Sequence, residues 1–337
     1  MNGLAVVRAA ASRRHALMLG GLVALLLAAA VATLLMGDYP LTPAQVWTAL
    51  TGAGERVEAY VVLQVRLPRL LMALLVGAAL GVAGALLQSL LRNPLASPEL
   101  LGISGGSSVA AVFGLLILGI TGPPLAAIAF AGGLAASLLL LAAARGRAAG
   151  YRLILAGIGL SFFTASIIGF LMTKAQLQQT QAALVWLTGS LSSTPWWQVV
   201  VLAVVWVVAL PVLFVTARWL PVIALGPEAA TGLGVRPGLA RLLCVIVAVL
   251  LTAVTCAFVG PISFIALCAP AIARPLVAHG RIALAASALV GATLLAVSDL
   301  IAQFALPGVA MPVGVVTGAL GAVFLLWLLA TSKGRTL

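Results

Sequence analysis

A serine in a glycine-rich motif is the first candidate for chemistry in this sequence. The motif GISGG at 102–106 matches the G-x-S-x-G pattern that presents the nucleophilic serine of many hydrolases. That chemistry needs a strand–turn–helix elbow and a histidine base near the serine. Ser104 instead opens a long apolar stretch, and the two histidines, His15 and His279, lie at the edges of other such stretches. We therefore predict close helix packing at this motif and no catalytic residue in the chain.

The sequence also contains no motif typical of a metal site or a nucleotide site. Cys244, Cys256 and Cys268 lie in hydrophobic runs without the spacing of a metal site or a disulfide framework, so we interpret them as small core residues. Neither Lys174 nor Lys333 follows a glycine, which rules out a G-x-x-x-x-G-K-[ST] phosphate loop. The sequence thus predicts no metal site and no ATP site of its own.

One acidic residue, Asp299, lies well inside an apolar run, close to the end of that run. A carboxylate at membrane depth is costly and is by default a functional candidate. The alternative is a helix-end acid that reaches water or a backbone partner. The sequence leaves both interpretations open, although a lone carboxylate makes a poor proton relay.

The composition determines which elements can hold these residues. Of 337 residues, 64% are hydrophobic and 7% are charged, against about 25% charged in a soluble domain. Such a chain cannot cover its surface with polar groups. This excludes a water-soluble enzyme, a disordered tail and a nucleic-acid-binding domain, despite the net charge of +12.

Apolar stretches long enough to cross a bilayer recur along the chain. The sequence predicts an all-α polytopic membrane protein, one transmembrane domain over 1–337, with about ten spans. We place these spans at 16–36, 69–90, 100–119, 124–144, 152–173, 198–217, 241–260, 262–278, 282–303 and 312–331. The first stretch could be a signal peptide, but it is longer than a typical signal-peptide core, so we interpret it as an uncleaved span.

The basic residues set the orientation of these spans. With a cytoplasmic N-terminus, the outer segments hold only Arg56, Arg66, Arg69 and Lys174, and the inner segments hold the other basic residues. The positive-inside rule gives this bias, so both termini are expected in the cytoplasm. Helices rich in Gly, Ala and Ser predict a tight bundle.

Three segments outside the spans carry further information. The outer segment 37–68 starts a helix at Thr42-Pro43 and ends near Arg66 and Arg69, which are either lipid anchors or docking points for an acidic partner. The turn 92–99 predicts a hairpin at the cytoplasmic surface, where Pro94 stops one helix.

In that same turn, Ser97, Pro98 and Glu99 are expected to cap and start the next helix. The third segment, 218–241, is long for a cytoplasmic loop. It predicts two short helices that begin at Pro227 and Pro237 and are joined by a glycine turn. This compact knob either enters a groove of a partner or lies on the membrane surface as a connector.

Six motifs, in order, resemble those of the FecCD-type permeases, the membrane subunits of ABC importers for iron-siderophores, haem and vitamin B12. They are VRLPRLLMALLVGAALGVAGALLQSLLRNPLASPELLGISGG (65–106), RLILAGIGLS (152–161), WLTGSLSSTPWW (186–197), LGPEAATGLGV (225–235), GPISFIALCAPAIARPL (260–276) and MPVGVVTGALG (311–321). The resemblance covers roughly 17–332. Within the family, the chain looks most like a permease subunit of a ferric-enterobactin importer.

The resemblance implies a type II ABC importer permease fold in a bacterial inner (plasma) membrane. It also implies a second permease subunit, two copies of an ATP-binding subunit that bind ATP and Mg, and a periplasmic or lipoprotein binding protein that delivers the ligand. The iron stays chelated by the siderophore, so no cofactor is expected on this chain. Membrane lipid is the remaining partner, and no nucleic acid is expected.

The family's functional residues carry over onto matching positions. Arg66 and Arg69 match the outer arginines that contact glutamates of the binding protein, and Asn93, Leu95 and Gly150 match a cytoplasmic gate. The 225–241 segment matches the coupling helices that contact the ATPase. Its expected coupling residues are Gly226, Pro227, Glu228, Gly232, Leu233 and Gly234.

The chain departs from the family pattern in three places. It reads Pro270-Ala271 where Pro-His is usual, Ala310-Met311 before Pro312 where Glu-Leu is usual, and Gln303 in place of a third docking arginine. We therefore expect one half of a heterodimer whose partner keeps the missing groups.

The sequence therefore predicts a permease subunit for an iron-siderophore, with a ferric catecholate as the narrower expectation and alternating access rather than bond chemistry. A haem or vitamin B12 permease is the alternative of the same class. An ion-coupled secondary transporter and an intramembrane hydrolase built on Ser104 are the competitors of other classes.

Overall fold

The computed structural model describes residues 2–143, 149–276, 283–306 and 310–331, and within them the secondary structure is entirely helical. A π-helical turn covers Val61–Arg66, and 3-10 turns cover Pro98–Leu101 and Arg274–Leu276. The helices are α1 (Asn2–Leu35), α2 (Pro43–Thr51), α3 (Arg56–Tyr60), α4 (Leu67–Leu91), α5 (Ile103–Leu116), α6 (Pro123–Ala143), α7 (Ala149–Thr173), α8 (Leu177–Thr188), α9 (Trp196–Ala224), α10 (Pro227–Gly232), α11 (Pro237–Val259), α12 (Ile265–Ala273), α13 (Leu284–Phe304) and α14 (Val313–Thr331).

The prediction of an all-α protein with about ten spans is confirmed. Among the described residues, 7 helices are long and apolar enough to cross a bilayer. Three shorter apolar helices, Ile103–Leu116, Ile265–Leu276 and Val313–Leu328, fall on the remaining predicted spans. The expected break near Gly260 is also present, because α11 ends at Val259 and α12 begins at Ile265.

Helix α4 lies at the centre of the bundle, in contact with α9, α11, α12 and α13. Glycines make this possible. A Cβ atom on Gly77 would overlap the carbonyl oxygen of Gly291 on α13, and one on Gly84 would overlap the carbonyl of Ala266 on α12. Such close backbone contact supplies packing energy that lipid cannot supply through the hydrophobic effect.

Helices α5 and α6 pack in the same way through the GISGG motif. The backbones of Gly106 and Gly132 are so close that a Cβ on either one would overlap the carbonyl oxygen of the other. Ser104 lies in the first turn of α5, without the strand–turn–helix elbow of a hydrolase. The prediction of close helix packing at this motif is confirmed.

Three helix breaks meet at one place, each with a glycine at the contact. The Ser190 amide donates to the carbonyl of Val259 (2.8 Å), and the Gly314 amide donates to the carbonyl of Gly189 (3.1 Å). A Cβ atom on Gly260 would overlap the carbonyl oxygen of Trp186. Irregular backbone is tolerated at membrane depth only when protein or a water-filled cavity satisfies it, and here the breaks satisfy one another.

The outer segment 37–68 is more helical than the sequence suggested. As predicted, Thr42 caps α2, and its amide in turn donates to Gln45 Oε1 at 2.8 Å. The second half of the segment, from Arg56 onward, is helical and continues without a break through the π-helical turn into α4. No proline or glycine interrupts residues 56–67, and Pro68 is tolerated in the first turn of α4.

The glycine contacts between α4 and α13 can be tested with Gly291→Ala. The added methyl group must displace the carbonyl of Gly77, so we expect a destabilisation of about 1–3 kcal/mol, measured as a lower melting temperature of the detergent-purified chain. Gly20→Ala in α1 is the matched control, since nothing lies within 4 Å of its Cβ position. Equal melting temperatures for the two variants would contradict this packing.

Candidate functional site

The outer ends of α4 and α13 carry a buried ion pair. Arg69 donates from Nε to Asp299 Oδ2 and from Nη2 to Asp299 Oδ1, both at 2.9 Å. Gln303, one turn further along α13, donates to Asp299 Oδ2 at 2.8 Å. The Asp299 side chain is 2% exposed and that of Arg69 is 18% exposed. A two-point arginine–carboxylate contact of this kind is both strong and directional.

This geometry changes the interpretation of Asp299. The sequence presented a lone carboxylate in an apolar run, but the structure brings Arg69 to it from 230 positions away. The charge is therefore neutralised by an arginine rather than left free for a proton relay. Only some of the Arg69 donors contact Asp299, so the guanidinium can still bind an acidic group from outside.

Arg66, the other predicted docking residue, is buried in this chain, at 7% exposure. Its Nη1 donates to the carbonyl of Leu34 at 2.7 Å, and its Nη2 donates to the carbonyl of Tyr39. These carbonyls lie at and just beyond the end of α1, where a helix leaves backbone oxygens without intrahelical partners. Arg66 thus ties the end of α1 to the helix that leads into α4, and its docking role stays a prediction.

The predicted gate turn follows α4 at its inner end. Arg92 adopts the left-handed conformation (φ 50°), and the Asn93 amide closes the helix on the carbonyl of Gln88 at 3.2 Å. Asn93 Oδ1 accepts from the Leu95 amide at 2.9 Å, which holds the turn and leaves Leu95 exposed.

Arg92 connects this turn to another element. Its Nη2 donates to the carbonyls of Ile223 (3.2 Å) and Ala224 (3.0 Å), the last residues of α9 before the predicted coupling segment. No motif in the sequence indicates this contact. Gly150, the third predicted gate residue, lies in the first turn of α7, next to residues 144–148, which fall outside the described part of the chain. Its role stays a prediction.

The segment after the gate turn differs from the expected hairpin. Ser97 makes no capping hydrogen bond, and Pro98–Leu101 forms a separate 3-10 turn that Gly102 ends in a left-handed conformation (φ 68°). The next helix begins only at Ile103. Pro98 disfavours helical backbone at the residue before it, and Ser97 is accordingly extended (φ −137°, ψ 157°) where the chain leads back into the bundle.

Glu99 therefore lies at membrane depth rather than at the cytoplasmic surface. Glu99 and Leu80 line the same recess. Leu80 lies about 16 Å along α4 from the inner end of that helix, so Glu99 lies at a similar depth. Its carboxylate accepts hydrogen bonds from the backbone N–H of Phe264 and the Ser263 hydroxyl. Phe264 is left-handed (φ 69°) and directly precedes α12, so Glu99 caps the start of that helix from a distant segment.

A second polar contact, also missed from the sequence, crosses the bundle below Glu99. Gln88 is almost fully buried on α4, donates to the carbonyl of Leu267 (3.1 Å) and accepts from Arg274 Nη2 (2.8 Å). These bonds join the inner half of α4 to both ends of the short α12 segment. The available sequence signal was a polar glutamine in α4, a helix otherwise rich in small and apolar residues.

The predicted coupling segment forms a knob that protrudes beyond the inner end of α9. Helix α10 begins at Pro227, after Gly226 in a positive-φ conformation (111°), and ends before Gly234 (φ 79°). Leu233 is 64% exposed, and most residues around it in the knob are exposed as well. The knob has a small core of its own, formed by Ile223, Ala230, Val235 and Ala240.

The expectation of two short helices in this knob is wrong in one respect. Only α10 is short, because Pro237 starts the long helix α11 directly. Proline at a first helical position is compatible with a helix of any length, so the pattern could not distinguish the two cases. The six predicted coupling residues all lie on α10 or its flanking turns, and Glu228 is exposed in the first turn.

The cysteines, the remaining candidates for chemistry, lie in the packed interior. The three cysteines are free and buried, as expected for core residues. Among the residues that the structure describes, no group of three or more His, Cys, Asp or Glu side chains could hold a metal ion.

Comparison with known proteins identifies a family over most of the chain. The model of the FecCD transport family matches residues 25–331. The ferric enterobactin transport system permease protein FepG of Escherichia coli is 40% identical over 294 residues, covering 87% of this chain and 89% of that protein. The Fe(3+) dicitrate transport system permease protein FecD of Escherichia coli is 42% identical over 277 residues, covering 81% and 86%.

A solved structure agrees with these sequence comparisons. A metal-chelate type ABC transporter in an inward-facing conformation matches with a TM-score of 0.80 and 27% identity, covering 94% of this chain and 99% of that chain. The expected type II importer permease fold is thereby confirmed. The residue roles that were carried over from the motifs are not tested by this likeness.

A double-mutant cycle tests the ion pair. Arg69→Leu alone leaves the Asp299 carboxylate buried without its cation, and we expect it to destabilise the chain by about 3 kcal/mol or more. Arg69→Leu with Asp299→Leu removes both charges, so this double variant should melt at a higher temperature than the single variant. Arg56→Gln, at an exposed site, is the control and should leave the melting temperature unchanged. Additive effects of the two leucine substitutions would show that the pair is not energetically coupled.

Proposed function

The chain belongs to the FecCD transport family, and from this membership we propose that it is the permease subunit of an ABC importer that moves an iron-siderophore chelate into the cytoplasm. Partner subunits hydrolyse ATP, and this chain supplies the membrane path. It is a multi-pass membrane protein of the importer-permease type, like its relatives.

The observation that carries the proposal is the contact between Arg92 and the end of α9. This guanidinium joins the gate turn to Ile223 and Ala224, and α10 starts three residues beyond Ala224. A displacement of α10 by an ATPase would therefore pull on the gate turn through two hydrogen bonds from one charged donor. Such a connection fits ATP-driven alternating access, in which the chemistry takes place on another subunit.

The exposed surface of the knob supports an ATPase as the partner on this side. Leu225 and Leu233 flank the short helix α10 and are both exposed. The knob follows the inner end of α9, so lipid would not cover these two leucines. Apolar side chains in such a position are typical of a surface that a partner covers. Two copies of the ATP-binding subunit, one for each permease subunit, would bind the two knobs, together with ATP and Mg.

Helix α7 supports a second permease subunit as a further partner. It exposes Gly159, Ser161, Ser166 and Gly169, and small residues of this kind allow close contact between membrane helices. The changes at Ala271, Met311 and Gln303 favour a partner that is homologous but different.

The outer face is the proposed docking surface for a periplasmic or lipoprotein binding protein. Arg69 is partly exposed and is held in a fixed orientation by Asp299 and Gln303. An acidic side chain of the binding protein would reach the remaining donors of Arg69, and Arg66 would join only if it released the carbonyl of Leu34 or Tyr39. With the knob bound to an ATPase on the cytoplasmic side, both termini would also lie in the cytoplasm, as the positive-inside bias favours.

The proposed cargo is a ferric chelate. The relatives FepG and FecD carry the names of ferric enterobactin and ferric dicitrate at similar identity, which supports iron bound to an organic chelator. A catecholate siderophore is the narrower proposal, and a haem or vitamin B12 permease is the alternative of the same class. The chelator holds the iron, so the transport path needs no metal ligands or cofactor from this chain.

Uptake by proteoliposomes tests this function. The chain is reconstituted with its sister permease, its ATPase and its binding protein, and uptake of ferric enterobactin, ferric dicitrate, haem and cyanocobalamin is measured in parallel. We expect uptake of a ferric chelate that requires internal ATP, stops when the ATPase lysine that binds phosphate is replaced, and persists when ionophores remove the proton and sodium gradients.

Other outcomes identify the competitors. Uptake that follows an ion gradient without the ATPase would establish an ion-coupled transporter, and uptake of cyanocobalamin or haem alone would identify the alternative of the same class. The Ser104→Ala variant should transport normally, since Ser104 lies in the packed start of α5. Loss of activity in this variant, with folding intact, would revive the hydrolase.

A further inference from the structure

A long apolar groove runs along the inner half of α9, and no transport role is assigned to it. Its cavity measures about 910 Å³ and lies between α9 and α13, with Val82 of α4 contributing to the wall. The lining is almost wholly apolar. It includes Trp206, Val207, Leu210, Phe214 and Ala217 on α9, and Ala285 on α13.

The length of the groove matches one leaflet of a bilayer. From Trp206 to Ala217 the helix rises about 16 Å, close to half of a hydrocarbon core of about 30 Å. Trp206 marks the end near the middle of the membrane, where its indole N–H donates to the carbonyl of Leu75 at 3.1 Å. The other end opens near the coupling knob, so this groove belongs to the leaflet on the knob side.

A basic side chain marks the headgroup end. The guanidinium of Arg218 lies 4.2 Å from the centre of the Phe214 ring, directly beside the groove lining. Arg218 is exposed, and in the described part of the chain the one salt bridge is that of Arg69 with Asp299. A guanidinium stacked on an aromatic ring keeps its edge donors free for two-point binding of a phosphate.

The side chains around the groove are suited to lipid rather than to another helix. Val207, Leu210 and Phe214 are all exposed and bulky. Close contact between membrane helices uses small residues, whereas these exposed α9 side chains are large. The cytoplasmic leaflet also carries anionic lipids, to which Arg218 is complementary in charge.

We propose that this groove binds one anionic phospholipid of the inner leaflet, with an acyl chain along α9 and the phosphate on Arg218. The bound chain fills the space between α9 and α13 against α4. It thereby braces the inner end of α9, which Arg92 contacts at Ile223 and Ala224. This inference concerns the lipid alone and holds whatever the cargo of the chain is.

Native mass spectrometry of the full chain, released from nanodiscs, tests the site. The nanodiscs contain phosphatidylglycerol and phosphatidylcholine of the same acyl chains in equal amounts. We expect phosphatidylglycerol to be retained preferentially by the native chain. Arg218→Gln should lower this retention about five-fold, the effect of one basic residue at an anionic membrane surface.

Two further variants separate the headgroup from the acyl chain. Ala285→Phe adds bulk to the groove at an exposed position of α13 and should lower the retention of both lipids while Arg218 remains. Arg241→Gln removes a charge from an exposed position at the inner end of α11, outside the groove, and should retain phosphatidylglycerol like the native chain.

Three results would overturn the proposal. Equal retention of the two lipids by the native chain would exclude selection by charge. Equal loss in Arg218→Gln and Arg241→Gln would show a general effect of net charge. Displacement of the lipid by inorganic phosphate alone, with no effect of Ala285→Phe, would show an anion site without a bound acyl chain.

Discussion

Hydrocarbon offers no hydrogen-bond partners, and this one constraint organises the whole structure. The chain breaks its helices at membrane depth at several points, among them the 98–102 stretch, Gly189 and the 260–264 stretch. Such a break leaves amides and carbonyls without partners in their own helix. In this fold the breaks lie next to one another, so that the amide of Ser190, for example, donates to the carbonyl of Val259. Glycines let the backbones come close enough for such hydrogen bonds to form.

Charged side chains meet the same requirement at helix ends. Arg66 binds carbonyls at and just beyond the end of α1, Arg92 binds those at the end of α9, and Glu99 accepts from the amide that precedes α12. Each contact joins segments far apart in sequence, so each holds distant elements of the fold together. Arg69 and Asp299 differ, because there two charges satisfy each other and keep a guanidinium oriented at the outer face.

Local features of the structure could be predicted from the sequence, and contacts between distant residues could not. Apolar runs, the Thr42 cap and the proline that starts α10 depend on residues close in sequence, so the ten spans and the position of the knob were predictable. The pairing of Arg69 with Asp299 needs the packing of α4 on α13. Glu99 was misplaced for a similar reason, since Ser97-Pro98-Glu99 has the composition of a helix start and only the fold shows that the stretch turns inward.

Arg92 is proposed to join α10 mechanically to the gate turn, and the ratio of transport to ATP hydrolysis tests this connection. In the reconstituted complex, Arg92→Gln should bind the ATPase and hydrolyse ATP normally, while the ratio falls about ten-fold or more, since a hydrogen bond from a charged donor contributes about 1.5–3 kcal/mol. Arg56→Gln, at the exposed outer end of the same long helix, should keep the native ratio. An unchanged ratio in Arg92→Gln would contradict the account.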